Sequence, residues 1–317
     1  MSGSTRSKSE VTYELFDINP VEFYKQRFLT PVTLPPSQEN MAIRTVISYN
    51  KINRLVDAIR KNVGADEFRV LEVGCGSGPI GARVKHNFPQ CKLYGVDLSA
   101  ECVEVARRDG FDEAVACDVF SGLPYEDEAF DFVFTMDFWG HIEFAKKDQM
   151  IAEVQRVTRK GGLGWHGIEA GFVDYFGCNP KDPEDYVRKY VYTEGHIGVE
   201  TLEANVERFS RWVEVVGALP WPIKPFASID SILAGKRFGE GFNQAFLPYD
   251  GYNSRICADV VMGYCSEYVL DRLIEAFGPV LTKGALAKLG LGADMAKFAE
   301  LFVQGSGFAM LTVRRPG

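Results

Sequence analysis

The stretch Arg69-Val70-Leu71-Glu72-Val73-Gly74-Cys75-Gly76-Ser77-Gly78 decides how the chain is read. Its first five residues are largely apolar, and three glycines then alternate with small residues. Such a run predicts a buried strand that turns tightly into a helix over Ile80 to Phe88. Gly74, Gly76 and Gly78 carry no Cβ, so the turn can approach another molecule closely. Gly76-x-Gly78-x-x-Gly81 satisfies the fingerprint of a dinucleotide-binding turn, and Asp97 follows where a ribose-binding acid belongs. Three features weigh against a pyrophosphate at this turn. Glu72 points a carboxylate toward it, the glycines are shifted toward the strand, and Pro79 removes an amide at the helix start. A ligand carrying an amino group suits Glu72 better.

Working outward, strand and helix patterns alternate. Strands are predicted at Cys91 to Val96, Ala114 to Cys117, Asp131 to Thr135 and Gly164 to Ile168, with helices at Ala100 to Asp109 and Met150 to Thr158. That alternation implies an α/β fold with a doubly wound parallel sheet and helices on both faces. Upstream, Met1 to Glu10 reads as a loose tail. Ser37 is the expected N-cap of a helix to about Lys61, with Gly64 as its stop and Ile52, Leu55, Val56, Ile59 and Val63 as its apolar face. Residues 1–64 are therefore expected to be a tail and helical cap, and residues 65–221 the α/β core. Beyond Gly171, Thr201 to Trp212 reads as a helix and Val213 to Val216 as a strand, with Pro220, Pro222 and Pro225 breaking the chain. Helices are predicted from Asn253 to Phe277, Gly284 to Leu289 and Ala293 to Phe302, and Phe308 to Val313 reads as a closing strand. Residues 222–305 thus form a helical insertion before the last strand, in 306–317, and so long a connection is expected to be structured and functional.

Composition narrows the function classes. The 317 residues are 46% hydrophobic and 25% charged, so a core can form. No apolar run reaches the roughly 18 to 20 residues of a membrane span, and the polar amino terminus predicts no secretory signal. A cytoplasmic protein with no membrane partner is expected. The net charge of −8 argues against nucleic acid as a partner. Seven cysteines are scattered without a CxxC pair, so neither a disulfide framework nor a metal site is expected.

Four segments in order resemble the class I S-adenosylmethionine-dependent methyltransferases. Val70 to Gly78 looks like that family's first motif, and Tyr94-Gly95-Val96-Asp97-Leu98-Ser99 like its second-strand motif. Cys117-Asp118-Val119 with Phe130-Asp131-Phe132-Val133 resembles its adenine-side segment and fourth strand. Arg156 to Gly162 is similar to its helix-to-fifth-strand turn. The resemblance covers about Phe68 to Glu169 and the last strand. It implies a seven-stranded, mostly parallel sheet and S-adenosyl-L-methionine as cofactor. Glu72 would face the amino group, Gly74, Gly76 and Gly78 the methionine portion, and Asp97 the ribose hydroxyls. Asp118 and Val119 would face the adenine, with Leu98 and Met136 beside the cofactor. Packing is the competing role for Leu98 and Val119, and helix capping the competing role for Asp97.

The acceptor side is less defined. Asp137 and His141, following the fourth strand, are the leading pair for acceptor binding or proton removal. His166, Glu169 and Phe172 follow the fifth strand, and His196 lies on a glycine-flanked loop. His166 is more readily structural. The fourth strand lacks the Asn/Asp-Pro-Pro-aromatic sequence that usually accompanies amide or nucleobase methylation in this family. A small-molecule nitrogen or oxygen acceptor is expected, with methylation of an amino-acid-like thioether as the alternative. An NAD-type oxidoreductase and a non-catalytic interaction protein are the rivals from other classes. The amphipathic insertion is expected either to line the acceptor pocket or to make a homodimer contact.

Overall fold

The computed structural model describes residues 8–29, 51–63, 66–171, 195–221, 270–290 and 308–317. In chain order these hold α1 (Pro20–Leu29), α2 (residues 51–62), β1 (Arg69–Val73), α3 (Pro79–Asn87), β2 (Lys92–Asp97), α4 (Ala100–Arg108), β3 (Glu113–Ala116), β4 (Phe130–Met136) and α5 (Lys147–Val157). There follow β5 (Thr158–Gly171), β6 (Glu200–Thr201), α6 (Leu202–Ser210), β7 (Glu214–Trp221), α7 (residues 270–277), α8 (Lys283–Ala287) and β8 (Phe308–Arg314).

Val70, Leu71 and Val73 are fully buried, which is why β1 reads as a continuous apolar run and sits mid-sheet. Leu71 lies opposite Tyr94 of β2 on one side and Val133 of β4 on the other, both in parallel register. The sheet order is β3-β2-β1-β4-β5-β8-β7, with the two-residue β6 beside β5. β1 to β5 run parallel, whereas β8 is antiparallel to both β5 and β7. The doubly wound, mostly parallel sheet is as expected, with one short extra strand. Phe130, Phe132 and Phe134 are fully buried along β4, each stabilising the core by about 1.5–3 kcal/mol.

Helix starts follow from local chemistry. Ser99 Oγ accepts the Cys102 amide at 3.2 Å to cap α4, and Thr201 and Thr282 cap α6 and α8 in the same way. The capping role that competed with cofactor binding for Asp97 thus falls to Ser99. α2 lays Leu55, Val56 and Ile59 into the core, the face read from the sequence. Its expected start at Ser37 and stop at Gly64 lie outside the described residues.

Two strands are longer than predicted. β5 continues through Gly161 and Gly162, where a helix-to-strand turn was expected, and reaches Gly171. β7 continues through Pro220, opposite Ala309, because it lies at the edge of the main strand order, where a strand tolerates a proline. Residues 279–281 return to this strand: the Ala218 amide donates to Pro279 O and the Leu281 amide to Ala218 O, both at 2.8 Å. Of the insertion's predicted helices, α7 and α8 are described. Residues 253–269, the helix expected over 293–302, and most of the aromatic-rich stretch beyond Gly171 lie outside the described residues.

A buried ionic cluster fastens the loop before β6 to α5. Lys147 Nζ lies 3.1 Å from Glu200 Oε2 and donates to Gly198 O, while Arg208 reaches Glu200 Oε1 at 2.7 Å. Burial pulls the Lys147 ammonium below its ordinary value. Burial pushes the Glu200 carboxyl the other way, but the two cations outweigh it and bring Glu200 from 4.5 down to about 2. The stabilisation is in place above the unfolded value and is lost as pH falls toward the folded one. Glu200→Gln, which leaves Lys147 buried without its carboxylate, is expected to cost about 3–5 kcal/mol near neutral pH. The same substitution should flatten the loss of stability between roughly pH 4.5 and 2, as read by chemical denaturation across pH. An unchanged profile would contradict the cluster's role.

Candidate active site

The parallel strands deliver their carboxyl ends to one edge, and the glycine turn sits at its centre. Gly74 and Cys75 donate their amides to Val96 O at 2.9 and 3.0 Å, which fixes the turn to β2. The Gly76 amide then reaches Asp97 Oδ2 at 2.8 Å, and Asp97 Oδ1 accepts from the Ser99 amide at 2.9 Å. Gly74, Gly76 and Gly78 adopt φ of +74°, +52° and +86°, a region that disfavours side chains. A Cβ on Gly74 would lie 2.5 Å from the Phe138 ring, whereas around Gly76 there is nothing within 4 Å. The turn therefore offers bare backbone facing open space at Gly76, while Gly78 is packed against Phe111 and Ala106.

Glu72 lies beneath it, only 2% exposed, and its Oε2 has no hydrogen-bond partner. Burial pushes its carboxyl well above the ordinary range, with the Asp97 charge adding to the effect. Burial also lifts Asp97, against the pull of the Ser99, Gly76 and Leu98 amides. Two buried acids beside the turn offer acceptors to a ligand bringing an amino group and hydroxyls, which would restore the ionised state that burial disfavours; a pyrophosphate brings no such donors. Leu98 is half-buried at the end of β2, Val119 and Met136 are buried at the ends of β3 and β4, and Asp118 is exposed. Asp118 Oδ1 accepts the Phe120 amide at 3.0 Å, so it also caps the short turn Val119–Ser121. All the residues expected on the cofactor side share this edge.

The loop after β4 carries the acceptor-side candidates. Asp137 has φ +51°, is about half exposed, and pairs with Lys51 of α2 at 3.0 Å. His141 closes the turn Trp139–His141 and faces Glu169 of β5, with Nε2 to Oε1 at 3.5 Å. His196 approaches the same Glu169 oxygen at 3.7 Å. Glu169 Oε2 accepts from the Gly140 amide at 3.0 Å, and a Cβ on Gly140 would fall 2.8 Å from that oxygen. Burial would raise the Glu169 carboxyl, but the two imidazoles and the Gly140 amide leave it below its ordinary value. His166 is fully buried against Thr135 Oγ1 at 3.1 Å, and burial lowers it to about 3. It is a neutral core residue.

The amino-terminal segment covers this side. The Tyr13 hydroxyl lies 2.9 Å from His141 O and 3.0 Å from Gly195 O, sharing its one proton between the two carbonyls, and it also bonds the Tyr24 hydroxyl. Its amide donates to the buried Glu143 at 2.9 Å. Sequence reasoning named His141, Glu169 and His196 separately but did not join them. It missed Tyr13, Tyr24 and Lys51 as site neighbours, since long-range pairings leave no local signal.

A parallel sheet of this order, a glycine turn tied to the second strand, and acids at the ends of β1 and β2 define a class I S-adenosylmethionine-dependent methyltransferase domain. Residues 70–162 match a family model described as a methyltransferase domain, and a domain of this class takes S-adenosylmethionine as its cofactor. The ribosomal RNA small subunit methyltransferase C of Actinobacillus pleuropneumoniae is 29% identical over 160 residues, covering 48% of this chain and 42% of the relative. The norajmaline N-methyltransferase of Rauvolfia serpentina is 35% identical over 99 residues, 29% of this chain and 32% of that one. The chain spans less than half the length of these curated relatives. Its fold is shared with the phosphoethanolamine N-methyltransferase 2 of Haemonchus contortus, at a TM-score of 0.51 and 16% identity, over 95% of this chain and 61% of that one.

Asp97→Ala removes the acceptor that holds the Gly76 and Ser99 amides as well as the group expected at the ribose. Calorimetric titration should show S-adenosylhomocysteine binding weakened by about 1–3 kcal/mol in the folded variant. Unchanged affinity would remove Asp97 from the cofactor site.

Proposed function

We propose that the protein methylates a nitrogen or oxygen atom of a small-molecule acceptor. The observation that carries this reading is the cover over the acceptor side, where Tyr13 binds across His141 O and Gly195 O. A space covered by the chain's own amino-terminal segment suits a compact acceptor better than a duplex, and the net charge of −8 supplies no attraction for phosphates. Arg54 of α2 pairs with Asp271 of α7 at 2.8 Å, which ties the described part of the insertion, residues 270–290, to the helical cap. Among the relatives, the norajmaline enzyme is named for a small-molecule acceptor and the ribosomal RNA enzyme for a nucleic acid. The acidic charge favours the first.

When bound, S-adenosylmethionine supplies an electrophilic methyl group on a cationic sulfonium. Glu72 would take its amino group and Asp97 its ribose hydroxyls, while Gly74, Gly76 and Gly78 admit the methionine portion. Asp118 and Val119 would meet the adenine, flanked by Leu98 and Met136. Methyl transfer is an in-line displacement, so positioning is the chain's main contribution. Asp137 and His141 would orient the acceptor and receive its proton, and the Phe138 ring over Gly74 helps keep water from the turn.

With an acceptor found by screening metabolites for methyl-label transfer, Asp137→Ala and His141→Ala should each slow turnover by about a hundredfold or more. Affinity for S-adenosylhomocysteine should stay near wild type in both. Normal turnover in both variants would return these residues to a structural role, and label appearing in RNA alone would overturn the small-molecule reading.

A further inference from the structure

Glu169 is a buried acid on this edge held between two imidazoles. Its Oε1 is buried and accepts no hydrogen bond, while Oε2 is fixed by the Gly140 amide at 3.0 Å. A buried carboxylate oxygen calls for a cation beside it, which the two facing imidazoles supply either as protonated rings or by sharing a metal ion. His141 Nε2 lies 3.5 Å and His196 Nε2 3.7 Å from that oxygen, and one donor atom from each of the three residues fits within a 4.8 Å span. Two donors on a common tetrahedral ion with bonds of about 2.0–2.1 Å stand about 3.3 Å apart, so a contraction of a few tenths of an ångström would close these two edges.

The surroundings have the form of a ligand set. His141 Nδ1 lies 3.2 Å from Gly195 O. A proton donated there leaves the Nε2 lone pair directed at the Glu169 side, the usual way a protein orients a metal-binding imidazole. The Tyr13 hydroxyl pins both backbone carbonyls of that arrangement, His141 O and Gly195 O. The loop carrying His196 is anchored through Gly198 O to Lys147, which is itself committed to Glu200. The imidazoles keep 13% and 18% side-chain exposure, so water or a ligand can reach the triad.

We infer that His141, Glu169 and His196 form a binding site for a divalent transition-metal ion of the zinc or cobalt type. Two imidazoles select such ions over magnesium or calcium, which prefer oxygen donors throughout. Three protein ligands leave positions open, and these would take an oxygen donor of the acceptor, directing it to the edge that holds the cofactor. This last step rests on the proposed methyl transfer; the metal site does not. His141 then acts on the acceptor through the ion, and Asp137 is left as the proton-accepting group.

The test is calorimetric titration of chelator-stripped full-length protein with zinc chloride, alongside cobalt chloride followed by visible absorption. One equivalent of zinc should bind per chain, and cobalt should give the d–d bands of a nitrogen- and oxygen-ligated ion. Glu169→Gln and His196→Gln should each weaken zinc binding by at least about a hundredfold, beyond the loss usual for an outer-shell change. Both variants should retain S-adenosylhomocysteine affinity, which also reports that they are folded. His196→Gln lies on a partly exposed loop and keeps the test valid if Glu169→Gln fails to fold. No stoichiometric zinc binding by folded wild-type protein, or wild-type affinity in a folded variant, would overturn the site. Metal binding without methyl transfer to any acceptor would leave the site standing and count against the proposed function instead.

Discussion

The parallel pairing of β1 with β2 is the constraint on which the rest of this structure depends. Because the two strands end together, Val96 O is in place to receive the amides of both Gly74 and Cys75. The next residue of β2 is then Asp97, and its carboxylate meets the Gly76 amide as a consequence of register. The glycines follow from the same geometry. A turn held that close to its neighbour strand must pass through positive φ, and at Gly74 it must also clear the Phe138 ring. One register therefore sets the bare backbone, the acid beneath it at Glu72 and the acid beside it at Asp97.

The second half of the edge is built differently. Its side chains come from the loop after β4, the end of β5 and the loop before β6, and tertiary anchors hold these together. Lys147, Glu200 and Arg208 fix the loop before β6, and Glu143 fixes the amino-terminal segment through the Tyr13 amide. Gly198 shows how tight this assembly is, since a Cβ there would lie 1.8 Å from Ile142 O. Such anchoring costs desolvation of several charges, and what it secures is the position of His196 against Glu169.

Most of the first half was legible in the sequence. Strand, glycine turn and acid are contiguous, and the alternation of apolar runs with helical spacing placed β1 to β4 and α3 to α5 within a few residues. The ends of β5 and β7 were not legible, because Gly161, Gly162 and Pro220 carry turn signals that sheet pairing overrides. Asp97 looked like a possible helix cap until Ser99 proved to hold that place. His141, Glu169 and His196 each stood out singly, yet nothing local states that β5 carries Glu169 between the two histidines. Tyr13 carried even less signal: an aromatic residue near the amino terminus reads as core, and its hydroxyl contacts are made to backbone atoms more than a hundred residues away.

The central claim is that this edge is built for a ligand with an amino group and ribose hydroxyls and no phosphate. Calorimetric titration of the full-length protein with S-adenosylhomocysteine and, separately, with NAD tests it most directly. The account predicts saturable one-to-one binding of S-adenosylhomocysteine and no measurable heat from NAD. Binding of NAD with no binding of S-adenosylhomocysteine would contradict it.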